Sequence, residues 1–131
     1  AEAMLMRLYL GDTDPRTLAR GAAYLLSRLP SIGVRPGDRD AYYWYYATQV
    51  MFHLQGEPWE VWNARLRPLL TSTQIKVGPL AGSWDPNGRV PDRWGPQAGR
   101  IYVTALHLLM LEVYYRHLPL FGERVVEVAQ P

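Results

Sequence analysis

Apolar residues recur along the chain at helical spacing and are punctuated by glycine and proline, a pattern that predicts a succession of helices. Met4, Leu5 and Leu8 fall at i, i+1 and i+4 and mark one face of a first helix over residues 1–9. No capping residue precedes that segment, so Ala1 reads as the interior of a helix that begins upstream, and the chain as a piece of a longer protein. Gly11 stops the first helix. Asp12-Thr13-Asp14-Pro15 then combines a short polar acceptor with a proline suited to the first helical position, so a second helix should follow. Its stripe is Leu18, Ala22, Leu25, Leu26 and Leu29, with Arg16, Arg20 and Arg28 outside it, and Pro30 ends it. Residues 41–54 are apolar or aromatic on nearly every side, as expected of a helix buried all round. After Gly56-Glu57-Pro58, an amphipathic helix carries Trp59, Trp62, Leu66, Leu69 and Leu70 on one face, and Pro68 inside it should bend it. Gly78 to Gly99 reads as a long ordered loop. Arg100 to Arg116 reads as the last strong helix, closed by Leu118-Pro119, before a tail that is either a strap or a fray.

The 131 residues, at 15.0 kDa, suffice for one core and exclude two separate enzyme domains. Lys plus Arg is 14 against 12 for Asp plus Glu, with no basic block, which argues against nucleic acid as a partner. The absence of cysteine removes disulfides, thiolate nucleophiles and Cys-ligated zinc. No apolar stretch reaches the ~20 residues a membrane span needs, no signal-peptide pattern opens the given chain, and the compartment is not implied by composition. The aromatic content, 9 Tyr and 5 Trp against 2 Phe, is concentrated in the helix of residues 41–54 and in the Gly/Pro loop.

The chain repeats itself. Tyr46-Ala47-Thr48-Gln49-Val50-Met51-Phe52 aligns with Tyr102-Val103-Thr104-Ala105-Leu106-His107-Leu108, and each segment follows an amphipathic helix and a Gly/Pro loop. Residues 1–5 overlay 49–53 as the remnant of a third such helix. The unit is an amphipathic outer helix, a loop and an apolar inner helix, which predicts an all-α fold of α/α hairpin repeats. Near-total burial of the inner helices favours a closed toroid.

Gln74-Ile75-Lys76-Val77-Gly78-Pro79-Leu80-Ala81-Gly82-Ser83-Trp84 resembles the Gln-to-Trp motif of squalene-hopene cyclases and prenyltransferase-type repeats. Tyr42-Tyr43-Trp44-Tyr45-Tyr46-Ala47-Thr48-Gln49, Gly82-Ser83-Trp84-Asp85-Pro86 and Glu112-Val113-Tyr114-Tyr115-Arg116 resemble, more closely, the prenyltransferase/squalene-oxidase repeat proteins of planctomycete-type bacteria. The resemblance covers residues 1–121. It implies part of an α/α toroid of the terpenoid cyclase/protein prenyltransferase kind, residues 1–131 supplying about two and a half helical hairpins of roughly six. Apolar surface should then remain at the open ends, for the remainder of the toroid or for a second copy. Physically, Gln74 can bond orphan carbonyls at a helix C-terminus, Gly82 permits a positive φ or a close approach, and Trp84 can cover the end of the next helix.

Candidate chemistry is incomplete. The cyclases' Asp-x-Asp-Asp acid is represented only by Asp12-Thr13-Asp14-Pro15, better read as a helix cap; no Asp-rich magnesium cluster occurs, and the prenyltransferase zinc site lacks its cysteine. No catalytic residue, cofactor or metal is assigned on this basis. Tyr46, Tyr102 and Trp94 are candidates for lining a cavity for an apolar small molecule, while the other residues of Tyr42–Tyr46 pack. His53, His107 and His117 show no metal-ligand spacing and are expected to be satisfied core or surface residues. Asp85-Pro86-Asn87-Gly88 is a turn, and Arg100 is placed to pair with Asp85 or Asp92. The expected function is a cyclase-like repeat segment acting as scaffold or binding module. Its alternatives are a fragment of a terpenoid cyclase-like enzyme or an isoprenoid- or lipid-binding domain, and a carbohydrate-binding or carbohydrate-active α/α toroid, the sugar-binding surface using Trp84 and Trp94 as an exposed platform.

Overall fold

A computed structural model describes residues 1–11, 14–35 and 37–117. The described chain is mostly helical, with no strand. Its helices are α1 (Glu2–Tyr9), α2 (Pro15–Leu26), α3 (Ala41–Leu54), α4 (Gly56–Thr73), α5 (Gly95–Leu111) and α6 (Val113–Arg116). α1 and α5 flank α3 side by side, α4 lies against α3, and α2 lies against α4. The α6 turn folds back onto α3.

Local chemistry explains most of the boundaries. Asp14 accepts a hydrogen bond from the Thr17 amide at 2.9 Å and Pro15 takes the first helical position, so α2 starts where the sequence places it; Asp12 and Thr13 lie outside the described residues. α2 buries Leu18, Ala22 and Leu25 and only partly covers Leu26 and Leu29. α3 is buried at ten positions, but Tyr42, Tyr43, Tyr45 and Tyr46 are half-buried, so it is not closed all round as expected. α4 follows after the single residue Gln55 and runs through Pro68 as one helix, burying Trp59, Trp62, Leu66 and Leu70. The Trp62 indole N–H donates to the Thr48 hydroxyl at 3.0 Å, which joins α4 to α3 inside the core.

The expected helix from Arg100 to Arg116 is divided. A first helical turn already forms at Gly95, Gly99 breaks it with φ 81° and ψ −178°, and regular helix resumes at Arg100. A second break at Glu112 separates α6. Leu118-Pro119 and the tail beyond them lie outside the described residues.

The repeat is visible as burial. Ala47, Met51 and Leu54 of α3 and Val103, His107 and Met110 of α5 are buried at the same three positions of the aligned segments. In α1, burial matches Ala47, Met51 and Leu54 with Ala1, Leu5 and Leu8, a different register from the overlay of residues 1–5 on 49–53. Periodicity alone had too short a segment there to choose between neighbouring registers.

The two inner helices share one cap. Asp92, buried in the loop before α5, accepts from the Ala41 amide at 2.8 Å through one carboxylate oxygen. Its other oxygen accepts from the Trp94 and Gly95 amides, both at 3.1 Å. One carboxylate thus satisfies orphan donors at the starts of both α3 and α5 and brings those starts together. Asp40 adds a local cap, accepting from the Tyr43 amide at 3.0 Å and from Arg93 at 3.4 Å. The arrangement also needs Gly95, because a Cβ there would lie 2.6 Å from the Pro86 carbonyl.

Removing the shared cap should cost more than removing the local one. Asp92→Ala leaves the Ala41 and Trp94 amides unpaired, the Gly95 amide keeping the Asp92 backbone carbonyl, and is expected to lower unfolding free energy by about 2–4 kcal/mol, whereas Asp40→Ala should cost about 1 kcal/mol. Urea unfolding of the two variants measures the difference; equal losses would show that Asp92 acts on one helix only.

Candidate functional site

The segment after α4 is a compact loop closed by its own backbone. The Ile75 amide donates to the Ser83 carbonyl at 2.9 Å and the Gly82 amide to the Ile75 carbonyl at 2.8 Å. Gln74 ends α4 with extended backbone, but its side-chain amide donates to the Gly82 carbonyl at 3.0 Å and not to the helix carbonyls. Gly82 takes φ +85° with open space where a Cβ would sit, so it serves the positive φ and not a close approach.

Trp84 performs the helix capping expected of Gln74. It is fully buried, and its indole N–H donates at 2.9 Å to the Leu70 carbonyl, one of the orphan acceptors in the last turn of α4. Its backbone amide donates to the Thr104 hydroxyl of α5 at 3.2 Å. Trp84 therefore covers the end of the preceding helix and ties it to the next one. Full burial also removes it from any exposed Trp84–Trp94 sugar platform.

The rest of that loop is held by short-range polar contacts. The Asn87 amide donates to Asp85 at 3.1 Å, which makes the expected Pro-Asn-Gly turn, and Arg100 pairs with Asp85 at 3.5 Å. Asp92 is committed to the helix starts instead.

The histidines differ from expectation. His107 is sandwiched between Trp44, stacked at 6.1 Å, and Trp84, edge-on at 5.0 Å, and neither ring nitrogen has a hydrogen-bond partner among the described residues. His53 is likewise buried with both nitrogens unpartnered, in edge contact with Tyr9 and His117 at 5.5 Å each. Burial depresses the pKa of both, most at His107, which falls to about 3, first through desolvation and then through the Arg39 guanidinium. Periodicity marks these positions as buried but carries no information on their hydrogen bonds. Among the described residues, no group of three His, Cys, Asp or Glu side chains converges as a metal site.

A cleft with sequence-predicted residues in it opens beside the N-terminal half of α3. Its volume is about 670 Å³. Tyr46 and Trp94, two of the three residues expected to line a cavity, are in its wall, together with Tyr24, Tyr42, Tyr43 and Trp44; the third, Tyr102, is half-buried on α5 and outside the lining. The cleft also holds charged groups that sequence pattern had not associated with it. Arg28 lies over the Tyr24 ring at 4.2 Å, Arg93 lies over Trp94 at 5.6 Å, and Asp38 and Asp40 reach the rim. α2, the 31–40 loop and the Arg93–Trp94 corner come from distant stretches of chain, so no local motif announces the grouping.

Comparison with protein-family models, with curated proteins and with solved structures finds no match to this chain.

His107 gives a pH-dependent test. The unfolded chain takes up a proton on this residue below its ordinary value of 6.5, while the folded chain resists until about pH 3, so stability is complete above pH 6.5 and is lost as pH falls through that window. The slope from one such group is at most about 1.4 kcal/mol per pH unit. His107→Met, which places here the residue type found at the aligned position 51, should leave stability at pH 7 equal or higher and flatten this acid limb. Thermal or urea unfolding between pH 4 and 7 reads it out, and an unchanged slope would contradict the assignment.

Proposed function

We propose that the chain is a cyclase-like α/α-toroid repeat segment that acts as a scaffold or binding module, its lateral helices taking further α/α hairpins on their outer faces. The observation that carries this reading is a pair of apolar stripes exposed among the described residues. On α1, Leu5 and Leu8 face the core, while Ala3, Met6 and the C-cap residue Leu10 are exposed at i, i+3 and i+7. On α5, Val103, His107 and Met110 face the core, while Ile101, Ala105 and Leu108 are exposed at i, i+4 and i+7. Ile101 alone is 86% exposed. A helix at the edge of a finished core ordinarily turns polar residues to water, so an apolar stripe on both lateral helices fits an array that continues on both sides.

The partner is the remainder of the toroid or a second copy of the chain. The shared helix cap and the Trp84 tie hold successive hairpins in fixed relation, which is the work of a scaffold. The absence of an Asp-x-Asp-Asp motif and of an Asp-rich magnesium cluster in the sequence supports a non-catalytic role for this segment. No helix is long and apolar enough to cross a membrane among the described residues, so the stripes are not spans.

The chain should therefore self-associate as concentration rises, and Ile101→Asp with Leu108→Asp should weaken that association by at least tenfold while helical content is retained. Sedimentation equilibrium with circular dichroism checks both. A strictly monomeric wild-type chain would count against the reading.

A further inference from the structure

The cleft beside α3 has a composition that the scaffold reading does not use. Its lining includes two exposed rings: Tyr24 of α2, 56% exposed, and Trp94 before α5, 47% exposed. Its floor is formed by Tyr42 and Tyr46, half-buried and in edge-to-face contact at 4.9 Å. A volume of about 670 Å³ falls within the ~300–1,000 Å³ range typical of small-ligand sites.

The charges of the cleft are largely satisfied within the protein. Arg93 pairs with Asp40 at 3.4 Å, Arg28 lies on the Tyr24 face, and Asp38 accepts from the Val34 and Arg35 amides at 2.9 Å each. The lining sets Arg28 and Arg93 against Glu2, Asp38 and Asp40, so charges of both signs are interspersed along it. Tyr42 and Tyr43 are both pushed up to about 12, Tyr42 chiefly by its hydrogen bond with Tyr46 and Tyr43 by burial. Phenol hydroxyls, guanidinium edges and carboxylate oxygens remain as a dense set of neutral or charge-balanced donors and acceptors.

An isoprenoid chain would cover these polar groups without pairing them, at a cost of roughly 1–3 kcal/mol for each group stripped of water. A ligand with apolar faces and polar edges satisfies both parts of the wall: its faces lie on the rings and its hydroxyls pair with the rim. We propose that this cleft binds a neutral oligosaccharide, gripped between the Tyr24 and Trp94 rings. The site differs from the Trp84–Trp94 platform suggested by sequence, because Trp84 is buried and the second exposed ring in the lining is Tyr24. None of the exposed apolar stripe residues lines the cleft, so this binding and the scaffold role fail or hold separately.

Isothermal titration of the intact chain with maltotetraose, cellotetraose and chitotetraose, and with farnesol as the apolar comparison, tests the proposal. Saturable binding of at least one oligosaccharide is expected, weakened about tenfold by Trp94→Ala and by Tyr24→Ala, each of which removes one stacking face of about 1 kcal/mol or more. Tyr115→Ala, an exposed ring outside the cleft, and Ile101→Asp with Leu108→Asp should leave the affinity unchanged. Circular dichroism confirms that the exposed-residue variants fold. Heat from none of the three oligosaccharides, binding that survives both cleft variants, or farnesol binding lost on Trp94→Ala in place of sugar binding would overturn the proposal.

Discussion

The carboxylate of Asp92 is the contact on which the helical arrangement depends. Its two oxygens are divided between two helix starts, one accepting from Ala41 and the other from Trp94 and Gly95. Helix starts carry unsatisfied amides and the positive end of the backbone dipole, and a single buried anion at two such ends offsets both while fixing the distance between them. The Gly/Pro loop exists to deliver this group. The Asp92 amide is held by the Pro86 carbonyl at 2.9 Å, the Arg93 amide by the Arg39 carbonyl at 2.8 Å, and Gly95 clears the space that a side chain would fill.

At the other end of the hairpin, Trp84 has the complementary role. Its indole N–H takes the Leu70 carbonyl where α4 ends, and its ring packs on His107, which packs in turn on Trp44. The stack of Trp44, His107 and Trp84 links α3, α5 and the loop through apolar faces, while the nitrogens of His107 gain nothing from it. A neutral imidazole is therefore tolerated for its shape, and its unpaired nitrogens are a cost that a thioether at the same place would avoid. Met51, at the position of α3 aligned with His107, is buried in the same way, so packing and not hydrogen bonding sets the requirement there.

Two kinds of surface follow from this framework. The outer faces of α1 and α5 each carry a stripe of exposed apolar residues. The cleft at the start of α3 is aromatic and polar together, suited to a ligand with both characters. They share a cause: α3 is covered on its flanks and by α4, but Tyr42, Tyr43 and Tyr46 at its N-terminal half are only half-buried and line the cleft.

Helix existence and helix faces were legible in the sequence, because each rests on short-range periodicity and local capping. The Asp14–Pro15 start, the Leu18–Ala22–Leu25 face, the Trp62–Leu66–Leu70 face and the aligned burial of α3 and α5 all follow from residues within a few turns of one another. The break at Gly99 and the extra turn at Gly95 were hidden because glycine and proline at Gly95-Pro96 read as loop until the Asp92 cap supplies their partners. Two of the three cavity residues, Tyr46 and Trp94, were legible as aromatic positions, but Tyr24, Arg28 and Asp40 join them only through packing of α2 against α4 and of the loops against α3. The role of Asp92 was equally invisible, since one partner lies 51 residues away in the chain. Local pattern determined which segments are helical and which sides they bury; which carboxylate joins two helices and which rings share a cleft were decided by contacts between segments that no sequence window contains.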